Sequence, residues 1–400
     1  MTLGWLAHLQ QRLDRLDGEH LRRRRRVVEA GGAAQLRVAL PGGPRELLAF
    51  CSNDYLGLAA HPAVAAALAE GARRHGAGSG ASALISGHHL AHHQLEERFA
   101  ALLAARIPRC RALLFGTGYL ANTATIAALA DRDTAIFSEE LNHASLIDGV
   151  RLAAAQRHVY PHADLDALEA LLESSTAPRK LIVSDAVFSM DGTLAPLAQL
   201  LALAQRHGAL LMVDDAHGFG VLGPDGTGSL AHFDLRSEHL VYVGTLGKAL
   251  GVAGAFVAAH ENVIEWLIQR ARPYVFSTAP PPALAVALQA ALDIVTGAAG
   301  GALRAALAAR IARLRAALDV RPWQLLPSTT AIQPIVIGDN ARTMEVAAAL
   351  LEDGIWVAGI RPPTVPEGSA RLRVTLCASH SDAQVDRLAA ALNDQARRGR

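Results

Sequence analysis

Residues 210–251 read LLMVDDAHGFGVLGPDG, then a polar connection, then VYVGTLGKALG, so an acidic pair and a lone lysine each follow a short apolar run. The runs at 209–213 and 240–243 are rich in leucine and β-branched residues and give way to glycine and polar residues. That is the pattern of buried parallel strands ending in site-bearing loops. In an open α/β sheet, ligands bind beyond the carboxyl ends of the strands, so Asp214 and Lys248 are expected to face one crevice. A lysine flanked by Gly247 and Gly251 is a Schiff-base candidate, because its amine condenses with an aldehyde. Pyridoxal phosphate is the cofactor that needs such a lysine together with an acid at its ring nitrogen. Opposite charge at close range shifts a pKa by roughly 1 to 3 units, which keeps that nitrogen protonated. Taken alone, one acid and one lysine after strands also fit solvated surface charge.

A chain of 400 residues exceeds what one hydrophobic core usually serves. The expected division is an N-terminal helical segment at 1–50, a large domain at 51–290 and a small C-terminal domain at 291–400. A net charge of +1 gives no global attraction to nucleic acid or membrane. Cys51, Cys110 and Cys377 are far apart and form no CxxC, which suits a reducing cytoplasm. Trp5, Leu6, Leu9, Leu13 and Leu16 recur at helical spacing among charges, an amphipathic helix rather than a leader sequence. No apolar stretch reaches the ~18 residues of a membrane span.

Other loops carry chemistry-bearing residues. The five arginines at 22–26 fit a nucleic-acid patch or a solvated helix face. A strand at 47–51 leads into SNDYLGL at 52–58, and a glycine-rich bend follows at 76–82. GHHLAHHQLEERFA holds two i,i+4 pairs, His88 with His92 and His89 with His93, which suit zinc, although no third ligand follows at a metalloprotease spacing. A strand at 111–115 runs into GTGYLAN at 116–122, a G-x-G-x-x-A variant of the dinucleotide fingerprint with Glu139 about twenty residues on. Physically it is a helix N-terminus whose free N–H groups suit any phosphate, so a nicotinamide cofactor and another phosphate ligand both stand. A strand from 135 precedes Asn142-His143-Ala144-Ser145, where His143 is either a loop histidine or a ring stacked on a flat cofactor. Another strand at 180–184 ends in Asp185. An alanine-rich helical region at 283–317 and strands near 332–337, 355–360 and 370–377 complete the chain.

The strings DDAHGFGVLGPDG, GTLGKALG, SNDYLGL and NHAS together resemble the α-oxoamine synthase family, pyridoxal-phosphate enzymes that join an amino acid to an acyl thioester with loss of carbon dioxide. The resemblance spans residues 22–380. It implies the α/β fold of fold-type I pyridoxal-phosphate transferases, a large mainly parallel-sheet domain with a smaller α+β C-terminal domain. It casts Lys248 as Schiff-base former and proton carrier, Asp214 as partner of the pyridine nitrogen, His143 as the stacking ring and His217 as partner of the ring hydroxyl. Gly118, Tyr119 and Thr245 would hold the phosphate, with Ser189 near the cofactor. Ser277 and Thr278 would reach the cofactor phosphate of a neighbouring subunit, which implies a homodimer with shared active sites. Asn53 would lie near the amino acid, Arg373 would hold its carboxylate, and Arg22, Arg361 and Thr364 would face the acyl substrate. Asp185 stands where the family commonly has the longer glutamate. His92 is structural or near the site, and Asp215 is structural.

IRPPTVP at 360–366 and IQPIVIGDN at 332–340 are similar to the branch of that family whose amino acid is L-alanine and whose acyl donor is a pimeloyl thioester, carried on coenzyme A or acyl carrier protein. The alternatives are a sister enzyme using another amino acid such as glycine, a non-catalytic subunit keeping the fold, and a nicotinamide dehydrogenase. Lys248, Asp214 and His143 together argue against the second. The absence of a second fingerprint argues against the third. No metal is expected.

Overall fold

The structure, a computed structural model, describes residues 4–398. The chain divides into two compact units, one built from residues 58–189 and 194–304, the other from residues up to 57, 190–193 and those from 305 onward. The expected boundaries near 50 and 290 therefore shift, and the N-terminal segment is not separate. The cause is long-range pairing. Gly43–Ala49 lies parallel to Ile355–Trp356, with Leu48 N–H donating to Gly354 O at 2.9 Å and Phe50 N–H to Trp356 O at 2.9 Å.

The larger unit carries a seven-stranded sheet in the order Cys110–Phe115, Ala255–His260, Leu240–Thr245, Leu210–Asp214, Arg179–Asp185, Thr134–Glu139, Gln156–Tyr160. All strands are parallel except Ala255–His260, which runs antiparallel to both neighbours. The central strands are buried on both faces, which is why they read as continuous apolar runs. On one face Val241, Val243 and Val257 join Leu113, Leu181, Val183 and Met212 in a core with the helix Gly118–Leu129. On the other, Phe256 stacks on Phe99 at 4.0 Å between ring centroids and meets Phe219 edge-on at 5.0 Å. Alternate residues of one strand thus feed two cores.

The alanine-rich stretch forms two helices, Pro282–Thr296 and Ala298–Ala317, because Gly297 interrupts the run with extended backbone. Among the described residues, no single helix is long and apolar enough to cross a membrane.

The other unit holds two four-stranded sheets. One orders Val27–Gly31, Gln35–Leu40, Gly43–Ala49 and Ile355–Trp356; the other orders Gln324–Leu325, Ile332–Gly338, Ala370–Thr375 and Ala358–Ile360, all antiparallel. The helix Trp5–Gly18 forms where the spacing predicts it, yet it buries none of its residues within the described chain. Trp5 and Leu6 are 80% and 84% exposed, so the apolar stripe finds no core of its own.

Candidate active site

At the carboxyl edge of the large sheet, the parallel register sets Asp185 directly beside Asp214. Both carboxylates are buried. Asp214 is fixed from two directions, its Oδ2 accepting from Asn122 Nδ2 at 2.5 Å and its Oδ1 from Ala216 N–H at 2.9 Å. Asn122 lies on the helix Gly118–Leu129 and also donates to Ser145 Oγ at 2.8 Å. Its carbonyl oxygen is buried without a partner. Asp185 Oδ2 accepts the backbone N–H of His143 at 2.6 Å, so the shorter acid still reaches the loop it must hold.

Lys248 sits in the return loop between Leu240–Thr245 and Ala255–His260. The loop is closed by Leu246 N–H to Gly254 O at 2.9 Å and Gly251 N–H to Lys248 O at 2.9 Å. Gly251 has φ +69°, and a Cβ there would lie 2.2 Å from Ala59 N, so only glycine fits. Lys248 Nζ lies 2.8 Å from His217 Nε2. His143 caps the helix Ala144–Leu152 through Nδ1, which accepts from Ser145 N–H at 3.3 Å and lies 2.8 Å from Ser145 Oγ.

Electrostatics sort these groups. Burial pushes the Asp185 carboxyl well above its ordinary range, and the adjacent Asp214 charge adds to the push. Desolvation lowers the His143 pKa; the Asp214 charge opposes this and the Lys248 charge reinforces it.

These residues, with Gly118, Tyr119 and Thr245, line a cavity of about 170 Å³. The donor set fits pyridoxal phosphate. The Thr117 side chain caps Leu120 N–H at 3.1 Å, while the N–H groups of Gly118 and Tyr119 belong to the first helical turn and have no intrahelical acceptor. They form a ready phosphate site. A Cβ on Gly118 would meet Thr245 Oγ1 at an ordinary 3.5 Å, so the chain's own packing does not demand glycine there. The space that Cβ would occupy is what an anion at the helix N-terminus needs.

Other expected residues lie elsewhere. Ser189 is half-buried outside this cavity, and Ser277 and Thr278 are exposed, Thr278 bridging Ser82. In the other unit, Arg373 is buried and donates to Asn53 Oδ1 at 3.2 Å and Thr375 Oγ1 at 3.1 Å. Arg371, two residues earlier, is spent on a buried ion pair with Asp191 at 2.7 Å. Arg22 bonds Asp17 at 2.5 Å, whereas Arg23 donates to Thr364 Oγ1 at 3.0 Å and Arg361 donates to His20 O. Arg22 and Arg361 line one groove of about 850 Å³. Sequence reasoning passed over Asn122, Ser145 and Arg23. The one available signal for Asn122 was its place one helical turn after Gly118, on the face that would meet a strand end.

The family model for aminotransferase class I and II matches residues 45–392. A curated relative named 8-amino-7-oxononanoate synthase from Bordetella petrii is 62% identical over 97% of this chain and 97% of its own. Among solved structures, a serine palmitoyltransferase from S. paucimobilis with bound PLP and myriocin superposes with a TM-score of 0.89 at 26% identity, covering 98% of this chain and 97% of that one. A crystal structure of 8-amino-7-oxononanoate synthase from Francisella tularensis gives a TM-score of 0.76 at 28% identity, covering 88% and 98%.

Proposed function

The chain belongs to the aminotransferase class I and II family and, within it, to the α-oxoamine synthases, and from that membership we propose that it condenses L-alanine with a pimeloyl thioester. The products are 8-amino-7-oxononanoate, carbon dioxide and the free thiol carrier. It is a pyridoxal-phosphate-dependent acyltransferase. The observation that carries the reading is the constellation at one sheet edge, with Lys248 against His217, the buried Asp214 clamped by Asn122, and His143 lining the same cavity.

When bound, pyridoxal phosphate supplies an electron sink that makes the α-carbon of an amino acid acidic. The chain supplies the rest. Asp214, held between Asn122 and Ala216, would keep a proton on the pyridine nitrogen. Gly118 and Tyr119 N–H groups and the Thr245 hydroxyl hold the phosphate. His143 would stack on the flat cofactor ring. Lys248 Nζ, 2.8 Å from His217 Nε2, would hold the cofactor aldehyde and would serve as the amine that takes and returns a proton at the substrate α-carbon. Arg373 holds the alanine carboxylate through its planar fork, with Asn53 beside it. Arg22, Arg361 and Thr364 face the acyl chain, and Arg23 joins them through its bond to Thr364.

We assign Ser277 and Thr278, exposed on the single chain, to the cofactor phosphate of a second copy, giving a homodimer with shared sites, and Ser189 to the cofactor's surroundings. The exposed Phe276 beside them supports a partner there. We place the enzyme in the cytoplasm.

The test is the visible absorption of the purified protein, followed by carbon dioxide release with L-alanine and pimeloyl-coenzyme A. A yellow protein whose band shifts with L-alanine and which turns over only with the pimeloyl thioester is expected. Lys248→Ala should abolish turnover and leave the cofactor unlinked. Turnover with glycine in preference to alanine would move the assignment to a sister enzyme, and a colourless protein would refute the cofactor site.

A further inference from the structure

The histidine-rich run at 87–93 has no part in the site above, and the structure arranges it differently from its sequence spacing. His89 is the N-cap of the helix Leu90–Leu103, so His88 lies outside the helix and cannot form an i,i+4 pair with His92. His92 turns inward, its Nδ1 accepting from His89 N–H at 3.2 Å. His88 instead swings across the first turns of the helix to place Nε2 2.9 Å from Glu96 Oε2. His93 lies one turn before Glu96 on the same helix face. One ligand atom from each of His88, His93 and Glu96 falls within 4.8 Å of the other two.

We propose that His88, His93 and Glu96 form a binding site for a divalent transition-metal ion of the zinc type, separate from the cofactor site. Two imidazoles and one carboxylate make a borderline nitrogen and oxygen donor set that such ions prefer. Metal–ligand bonds of about 2.0–2.2 Å put neighbouring ligand atoms of a tetrahedral centre roughly 3.3–3.5 Å apart. His88 and Glu96 need to separate by only a few tenths of an ångström, and the exposed His93 side chain is free to close the remainder. Glu96 is already oriented, since its Oε1 accepts Leu114 N–H at 3.0 Å and leaves Oε2 for the ion. A backbone bond of this kind is the outer support that fixes a ligating carboxylate.

The three side chains border a pocket of about 230 Å³, which leaves space for water to complete the coordination. Arg111 also borders it, but its guanidinium is paired with Glu265 at 3.1 Å, and Glu97 adds a carboxylate to the pocket lining. This pocket shares no residue with the cavity around Lys248. A bound ion would tie the segment ahead of the helix Leu90–Leu103 to that helix and, through Glu96, to the edge strand Cys110–Phe115.

The experiment is a zinc titration of the holoenzyme after dialysis against a chelator, followed by calorimetry and by competition with a chromophoric chelator. One zinc ion per chain is expected, with a rise in melting temperature. His93→Ala, an exposed position whose loss leaves the fold intact, should weaken binding at least about tenfold. His88→Ala combined with His93→Ala should remove binding, and His8→Ala, far along the chain on an exposed helix, should leave it unchanged. Substoichiometric uptake by the unaltered protein would overturn the proposal. So would an affinity that the double substitution leaves intact.

Discussion

Asp215→Asn isolates one buried charge. Asp215 has no exposed surface, and its Oδ2 accepts from Ser229 N–H and Tyr242 O–H, each at 2.6 Å, while its Oδ1 has no partner. Burial pushes its pKa up from 3.8 to about 7. The sign follows from linkage. Between pH 4 and 7 the unfolded chain gives up this proton and the folded chain keeps it, so stability falls as pH rises. Each unit costs about 1.4 kcal/mol, hence about 4 kcal/mol in all, levelling off above pH 7. Asparagine keeps an acceptor for Ser229 and Tyr242, fits the same slot and cannot ionise. For 400 residues, an unfolding entropy of about 2.1 cal/mol/K per residue converts that difference to roughly 5 °C. Thermal melts of both proteins at a series of pH values are expected to coincide near pH 4 and to diverge until the variant melts about 5 °C higher at pH 8. A gap that stays constant from pH 4 to 8 would refute the reasoning, because it would mean that the two donors at Oδ2 hold the carboxylate ionised throughout.

Asn122→Ala removes a 2.5 Å bond to the Asp214 carboxylate. Bonds to charged groups contribute about 1.5–3 kcal/mol, so kcat/KM should fall roughly 10- to 100-fold in steady-state assays. Gly118→Ala should leave the melting temperature of the cofactor-free protein unchanged, since its Cβ meets only Thr245, while cofactor affinity measured by fluorescence titration drops at least about tenfold. Arg373→Ala should raise KM for L-alanine with the cofactor spectrum unaltered, and an unchanged KM would remove it from the substrate site. Lys248→Ala, already described, completes the set.

The local signals in the chain were strong where one loop carries its own chemistry. Lys248 follows a strand and lies between glycines, and Gly118 opens a helix, so both are readable without any partner. Residues that act through pairing were not. The place of Asp185 beside Asp214 depends on the register of two strands separated by the helix Leu197–Arg206, and no local pattern states it. Asn122 looks like any polar residue in a helix until the strand it faces is known. Ala255–His260 reads as a short alanine-rich stretch, and its insertion as the antiparallel member of the sheet escapes a periodicity argument. The histidine pairs misled for a related reason: helical spacing was assumed two residues before the helix begins.

The pairing of Gly43–Ala49 with Ile355–Trp356 has a consequence for biosynthesis. The first 57 residues leave the ribosome long before the residues beyond 304 that complete their unit. During that interval their three-stranded antiparallel sheet ends at Gly43–Ala49, with an unpaired edge able to pair with another nascent chain. At the measured pace of translation, some 5–20 residues per second, the wait lasts on the order of tens of seconds. Pairing of this edge therefore waits until residues 355 and 356 have been made, and a chain truncated before them would leave Gly43–Ala49 without that partner strand.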